Sequence, residues 1–339
     1  MRIAQVATLS APVEPLSGGS VEALVWLLSR ELIALGHEVA VFAVAGSRSP
    51  GELVATLPGP YATKGAPDDW HLCEWIHLCE AVAASGRFDV MHTHAYLWSI
   101  PLEPFARCPL VHTAHIVPDD DMAGLWRRHP SACVTAISAS QWASYPDLKP
   151  AALVPHGLDT AQFTFCADPD DYICYLGRFT SGKGPVQAIQ IARQAGVRLR
   201  LAGPPNAYYR EKVEPLVDGD QIQYAGYVSG ESRSQLLGGA RALLYPIQYP
   251  EAFGLVLAEA MMCGTPVAAL GFGAVQELVE PGVTGVVATR WQELAGLLPA
   301  CFALDRRTIR HHAEKRFSAR RMAQSYAGLY EHLARRKPS

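Results

Sequence analysis

Short apolar runs, each followed by a turn and a helix-forming stretch, recur from the first residue, and the series starts afresh near residue 171. Arg2 to Thr8 reads as a buried strand, SGGSVE opens a helix reaching about Leu35, and Gly36-His37 closes it before EVAVFAVAG runs as the next strand. After a less regular stretch rich in Gly and Pro, Asp69 to Ala84 has helical character. Asp89 to His94 and Pro109 to His115 are strands ending in histidine, and Cys133 to Ser138 and Ala152 to Val154 add two more. The second series places strands at Asp171–Gly177, Val197–Ala202, Ile222–Ala225, Ala242–Tyr245 and Pro266–Ala269, with helices at Pro185–Ala195 and Ser232–Gly238. Strand-helix alternation of this kind predicts an α/β fold with two doubly wound parallel sheets, whose ligands sit at the carboxyl ends of the strands. A chain of 339 residues is also longer than one core usually serves. Phe163 to Asp170 lacks periodicity, which puts the boundary there: 1–162, then 163–317.

Composition narrows the class. A 49% hydrophobic, 18% charged chain packs as a globular protein, and a net charge of −3 gives no reason to expect a nucleic-acid partner. Eight cysteines are scattered without a CxxC pair, which suggests reduced thiols and a cytoplasmic setting. The start carries one basic residue and a short apolar run, unlike a signal peptide, and the most apolar helical stretch, Val21 to Leu35, is interrupted by Arg30 and Glu31. No membrane span and no firm membrane association are expected. From Arg306 onward the chain is basic and helical. Phe317, Met322, Tyr326, Leu329, Tyr330 and Leu333 form an apolar stripe, as in a packing helix with a solvated Arg face.

Four constellations carry chemistry. In Pro250 to Thr265, PEAFGLVLAEAMMCGT, Glu251 and Glu259 bracket a helix start at Phe253-Gly254-Leu255. The amides of Gly254 and Leu255 fall in the first turn, where a phosphate can be held. Eight residues of helix separate two side chains by roughly 12 Å, too far for one acid/base pair and suited to an extended ligand. GRFTSGKG, Gly177 to Gly184, contains GxxxxGK, but Gly184 stands where a P-loop needs Ser or Thr. What remains is Arg178 and Lys183, two cations on one loop. Gly18-Gly19, followed by Glu22, sits at the first strand-to-helix turn without completing GxGxxG, and still permits close backbone approach of a charged group. His92, His94, His112 and His115 end two strands without a Cys or carboxylate to complete a metal set. His112 reads as a core histidine and His115 as a functional one; a neutral ring there could donate to a sugar hydroxyl or carbonyl. Asp119-Asp120-Asp121 matches DxD formally but reads as a solvated acidic turn.

Taken together, GGSVE with its helix and GHEV, the DVMHTHA and HTAH strand ends, GRFTSGKG, GYVS, EAFGLVLAE with GTPVAA, and the terminal helix resemble family 4 of the retaining glycosyltransferases, over nearly the whole length. The resemblance implies the GT-B fold: two Rossmann-like domains facing a cleft, the first binding acceptor and rejoined by a C-terminal helix, 318–339, the second binding the nucleotide-sugar donor. It implies that Arg178 and Lys183 bind the donor diphosphate, that Glu251 lies near the donor sugar hydroxyls with the Gly254 and Leu255 amides beneath sugar and phosphate, and that Glu259 takes the ribose hydroxyls. Phe253 belongs to the same block. Gly18 and Gly19 resemble the turn that meets the diphosphate from the other domain, His115 the histidine contacting the transferred sugar, and Tyr227-Val228 the base-binding loop. His92 and His94 are candidate acceptor contacts. Family members typically need no bound metal, and neither a metal nor a cofactor is expected here. His156-Gly157 replaces the family's Asn-Gly, and Pro50 to Trp70 matches no family pattern. The expectation is a retaining, metal-independent glycosyltransferase using a UDP-, GDP- or dTDP-sugar on a small-molecule or glycan acceptor, in natural-product or other carbohydrate biosynthesis. Two alternatives are a non-catalytic sugar-nucleotide-binding partner protein and a GT-B-fold epimerase.

Overall fold

A computed structural model describes residues 1–17 and 19–335 and divides into two units, Met1–Gly157 with the chain from Ala319 on, and Leu158–Ser318. The first holds seven parallel strands: β1 (Arg2–Val6), β2 (Glu38–Val44), β3 (Glu52–Leu57), β4 (Val90–Thr93), β5 (Leu110–Thr113), β6 (Cys133–Ala136) and β7 (Ala152–Leu153), in the order β3-β2-β1-β4-β5-β6-β7. Alternate residues supply its two cores. Ile3 and Val41 pack with the helices Ser20–Ala34 and Ala319–Arg335, whereas Ala4 and Phe42 pack with the helix Trp70–Ala83.

The second unit has six parallel strands: β8 (Ile173–Leu176), β9 (Leu199–Ala202), β10 (Ile222–Tyr224), β11 (Leu243–Tyr245), β12 (Val267–Leu270) and β13 (Gly285–Ala288), in the order β10-β9-β8-β11-β12-β13. In each sheet the strand order reverses once, between β1 and β4 and between β8 and β11. Such a switch point opens a crevice at the strands' carboxyl ends.

Local chemistry sets several element ends. Asp69 caps Trp70–Ala83 by accepting from the His71 amide, and Pro185 starts the helix Pro185–Ala195. The DxD stretch is a helix start rather than a turn, with Asp119 capping Asp120–Arg128 through the Met122 amide. β3 runs through the stretch expected to be irregular. It is an edge strand, largely half-buried or exposed, and so lacks the apolar run that marks a central strand. All eight cysteines are free. Among the described residues no helix is long and apolar enough to cross a membrane.

Candidate functional site

The switch point of the second unit gathers the motifs read from the sequence. The loop after β8 carries Arg178 and Lys183, and the loop after β11 carries Glu251. Lys183 Nζ donates to Glu251 Oε2 at 2.5 Å and to the Tyr245 hydroxyl at 3.0 Å, while the Tyr245 hydroxyl itself donates to Glu251 Oε2. Both charged side chains are 14% exposed, so the pair is shielded but open to a ligand. Burial, then the Glu251 charge, pushes the Tyr245 phenol well above its ordinary value, keeping it a proton donor. Lys183 also lies 5.1 Å from the Tyr249 ring centroid. Arg178 is exposed, and its side chain has no hydrogen bond among the described residues.

Glycines fix this geometry where no other residue fits. Gly184, at φ +74°, would place a Cβ 2.1 Å from the Pro246 carbonyl. Gly273, at φ +61°, would place one 2.4 Å from both the amide and the carbonyl of Glu251, which bridges to it in parallel. The backbone of Glu251 is thus clamped from the loop after β12, with the Ala274 amide donating to the Glu251 carbonyl at 2.9 Å. Gly254, at φ +89°, caps the helix Leu255–Met262; the Leu257 amide donates back to the Gly254 carbonyl at 3.0 Å, and the earlier first-turn amides have no acceptor within the helix.

Glu259 lies inside that helix, 6% exposed. Arg233 Nη1 donates to its Oε1 at 2.8 Å, but Oε2 is buried with no hydrogen-bond partner among the described residues. Burial raises the Glu259 carboxyl, against the opposing Arg233 charge. Such an orphaned acceptor costs about 1–3 kcal/mol, so the site favours a ligand that donates to it. Phe253 is a core side chain, edge-on to Phe317 at 5.9 Å. Val228 is buried, whereas Tyr227 is 65% exposed, a free ring face at the end of the β10 loop. Sequence reading missed Tyr245 and Arg233, the partners of the two glutamates: an isolated Tyr or Arg carries no spacing signal.

In the first unit Gln5 on β1 and the histidines following β4 and β5 form a directed chain at the other switch point. Gln5 Nε2 donates to the Tyr330 hydroxyl at 3.2 Å, so its Oε1 must accept from His94 Nε2 at 2.9 Å. His94 Nδ1 then accepts from His115 Nε2 at 2.9 Å, and His115 Nδ1 from His156 Nε2 at 3.4 Å. In the other direction Tyr330 donates to His92 Nδ1 at 2.6 Å, and His92 Nε2 donates to the Thr113 hydroxyl at 2.7 Å. Burial is the main cause that depresses these rings: His115 is pushed down to about 3, and His92, His94 and His156 well below the ordinary range. His92 is buried, with both nitrogens bonded inside the unit. His94 and His115 line a cavity of about 420 Å³ together with Thr8, Ser10, Tyr61, Trp70 and Tyr96. His112 is a core residue, bonded to Ser99 at 2.8 Å and Glu103 at 2.8 Å. Gly19 caps the helix Ser20–Ala34, and a Cβ on it would collide with the Glu22 carboxylate at 1.9 Å. Glu22 is itself buried and accepts from Thr8 and Ser10. Gly18 lies outside the described residues. No three His, Cys, Asp or Glu side chains form a metal-ligand group among the described residues.

Two parallel-sheet units of this topology define the GT-B class of glycosyltransferase fold. Residues 18–162 match the family described as Glycosyltransferase Family 4, and residues 162–299 match Glycosyl transferases group 1. Together the two matches span residues 18–299, which makes the chain a glycosyltransferase of GT-B type, consistent with family 4. It is 28% identical to a D-inositol 3-phosphate glycosyltransferase of Mycolicibacterium smegmatis, over 84% of this chain and 79% of that one. Among solved structures it is similar to a sucrose-phosphate synthase from Thermosynechococcus elongatus (TM-score 0.81, 22% identity, 98% and 99% of the two chains). It is also similar to Anabaena HepE in complex with UDP-glucose (TM-score 0.73, 19% identity, 98% and 100%).

Proposed function

We propose that this glycosyltransferase moves a sugar from a nucleotide-diphosphosugar to an acceptor hydroxyl with retained anomeric configuration, without a bound metal, and that the second unit holds the donor. The observation that carries this reading is the pairing of two differently built glutamates on one loop-helix segment. Glu251 is fixed by Lys183, Tyr245 and the Gly273 clamp. Glu259, buried deeper, keeps one oxygen unpaired. Glu259 is suited to the ribose hydroxyls, which donate into that orphaned oxygen, and Tyr227 offers a face on which the base stacks. Arg178, Lys183 and the first-turn amides of the helix Leu255–Met262 meet the diphosphate. That a neighbouring fold binds UDP-glucose supports a nucleotide-sugar donor of this type.

In the proposed reaction the bond from the sugar's anomeric carbon to the diphosphate oxygen breaks, and the acceptor oxygen bonds to the same face. The acceptor proton passes to the departing phosphate, and the developing negative charge is met by Lys183 and Arg178. Removing one preorganised donor to such a charge costs on the order of 10²–10³ in rate. Lys183→Ala is therefore expected to lower kcat by about that factor in a transfer assay with purified protein, and Glu251→Ala, which removes the carboxylate that anchors Lys183 and Tyr245, to lower it as well. Full activity in both variants would contradict the site. Product formed from donor alone would instead mark an epimerase, and donor binding without turnover a binding-only protein.

A further inference from the structure

The 420 Å³ cavity in the first unit is a built site whose chemistry the donor reading does not use. One wall is aromatic. Trp70 stands edge-on to Tyr61 at 5.9 Å and 6.4 Å from Tyr96, which stacks on Trp98 at 4.9 Å. Trp70 lines the cavity and is 37% exposed, with the His71 ring centroid 3.8 Å and the Trp98 ring centroid 5.4 Å from its own. Two features hold the wall rigid. Tyr96 has φ +52°, a left-handed conformation that a bulky residue adopts only when its surroundings impose it, and such strain gathers at ligand clamps. Tyr61 donates its hydroxyl to Glu74, a fully buried carboxyl whose other oxygen has no hydrogen-bond partner among the described residues.

The rest of the lining is Thr8, Ser10, His94 and His115, polar but not cationic, with the apolar Val21 and Ile116. Thr8 and Ser10 have their hydroxyls engaged by the buried Glu22 carboxylate, and His94 and His115 are held neutral by burial within the directed chain. Among the described residues no Lys or Arg lines the cavity. A phosphate dianion would enter without a counter-charge and close to the Glu22 carboxylate that holds Thr8 and Ser10, where like charge and desolvation both oppose it. An aromatic face beside neutral hydrogen-bonding groups suits a ring with one apolar face and hydroxyls at its edge.

We propose that this cavity is the acceptor subsite and takes an uncharged, hydroxyl-bearing ring stacked against Trp70 and Tyr96, rejecting a phosphate monoester. The proposal rests on the sugar-transfer reading, yet its test needs no donor. Phenyl β-D-glucoside, methyl β-D-glucoside and D-myo-inositol 3-phosphate are titrated calorimetrically into the full-length protein. The two glucosides are expected to bind at least about tenfold more tightly than the inositol phosphate. Tighter binding of the phenyl glucoside indicates that an aromatic ring is stacked, and equal binding of the two glucosides that the sugar face is. Trp70→Ala should weaken the preferred glucoside by about tenfold with an unchanged thermal midpoint, and Trp70→Phe should restore it to within about threefold. Preference for the inositol phosphate, absence of glucoside binding, or an unchanged Kd in folded Trp70→Ala would overturn the proposal. Failure of the nucleotide-sugar donor to bind would overturn the transfer reading and leave the cavity result to stand or fall by its own titrations.

Discussion

At the residue scale, the buried histidines make acid stability a direct reporter of the first unit. His77 is pushed down to about 4 and His115 to about 3, with His92, His94 and His156 also well below the ordinary range, all principally by burial. Each of these rings takes a proton in the unfolded chain near pH 6.5 but stays neutral in the folded one, so stability falls as the pH drops below that value. Glu74 acts oppositely. Burial raises it to about 7, so the folded state keeps a proton that the unfolded chain releases above about pH 4.5, and its contribution grows on acidification. Five histidines outweigh it. The melting temperature is expected to fall between about pH 7 and about pH 5 in scanning calorimetry, and a level or rising midpoint would contradict the neutral histidine chain. The sequence marks His92, His94 and His115 because they close strands. It cannot show that they bond to one another, since those bonds depend on β1 and β4 being neighbours and on Tyr330, 238 positions from His92.

At the element scale, the loops around the second sheet's switch point are held by glycines together with the Lys183, Tyr245 and Glu251 side-chain contacts. Gly184 is legible in the sequence only as a departure from the P-loop pattern. In the structure it is the residue whose left-handed turn lets the Lys183 loop pass the Pro246 carbonyl. Gly273 carries no motif at all, yet it clamps Glu251. Gly273→Ala is expected to cost about 1–3 kcal/mol, lowering the melting temperature by about 2–4 °C per kcal/mol, and to weaken donor binding by displacing Glu251. Unchanged stability and unchanged binding would show that the clamp is dispensable. The central strands are legible because burial on both faces makes them continuous apolar runs. The edge strand β3 is not, because its outer residues meet solvent.

At the scale of the whole molecule, the alternation of short apolar strands with helices forecasts two doubly wound sheets, and the motifs fall where that topology concentrates ligand chemistry. The features of the second unit are the more legible, because Lys183, Gly254, Glu251 and Glu259 lie on two short segments with fixed spacing. The aromatic cavity is not. Its walls come from residues scattered between Thr8 and Ile116, and two of its aromatic groups, Tyr61 and Trp70, lie in the stretch from Pro50 to Trp70 whose sequence carries no motif. In the proposed function the second unit binds a nucleotide-sugar along the segment from Glu251 to Glu259. Calorimetric titration of UDP-glucose into wild-type and Glu259→Ala protein tests it most directly. Saturable binding that the substitution weakens at least about tenfold is the predicted result, because the orphaned carboxylate oxygen is then lost to the ribose. Equal dissociation constants in the two proteins would contradict it.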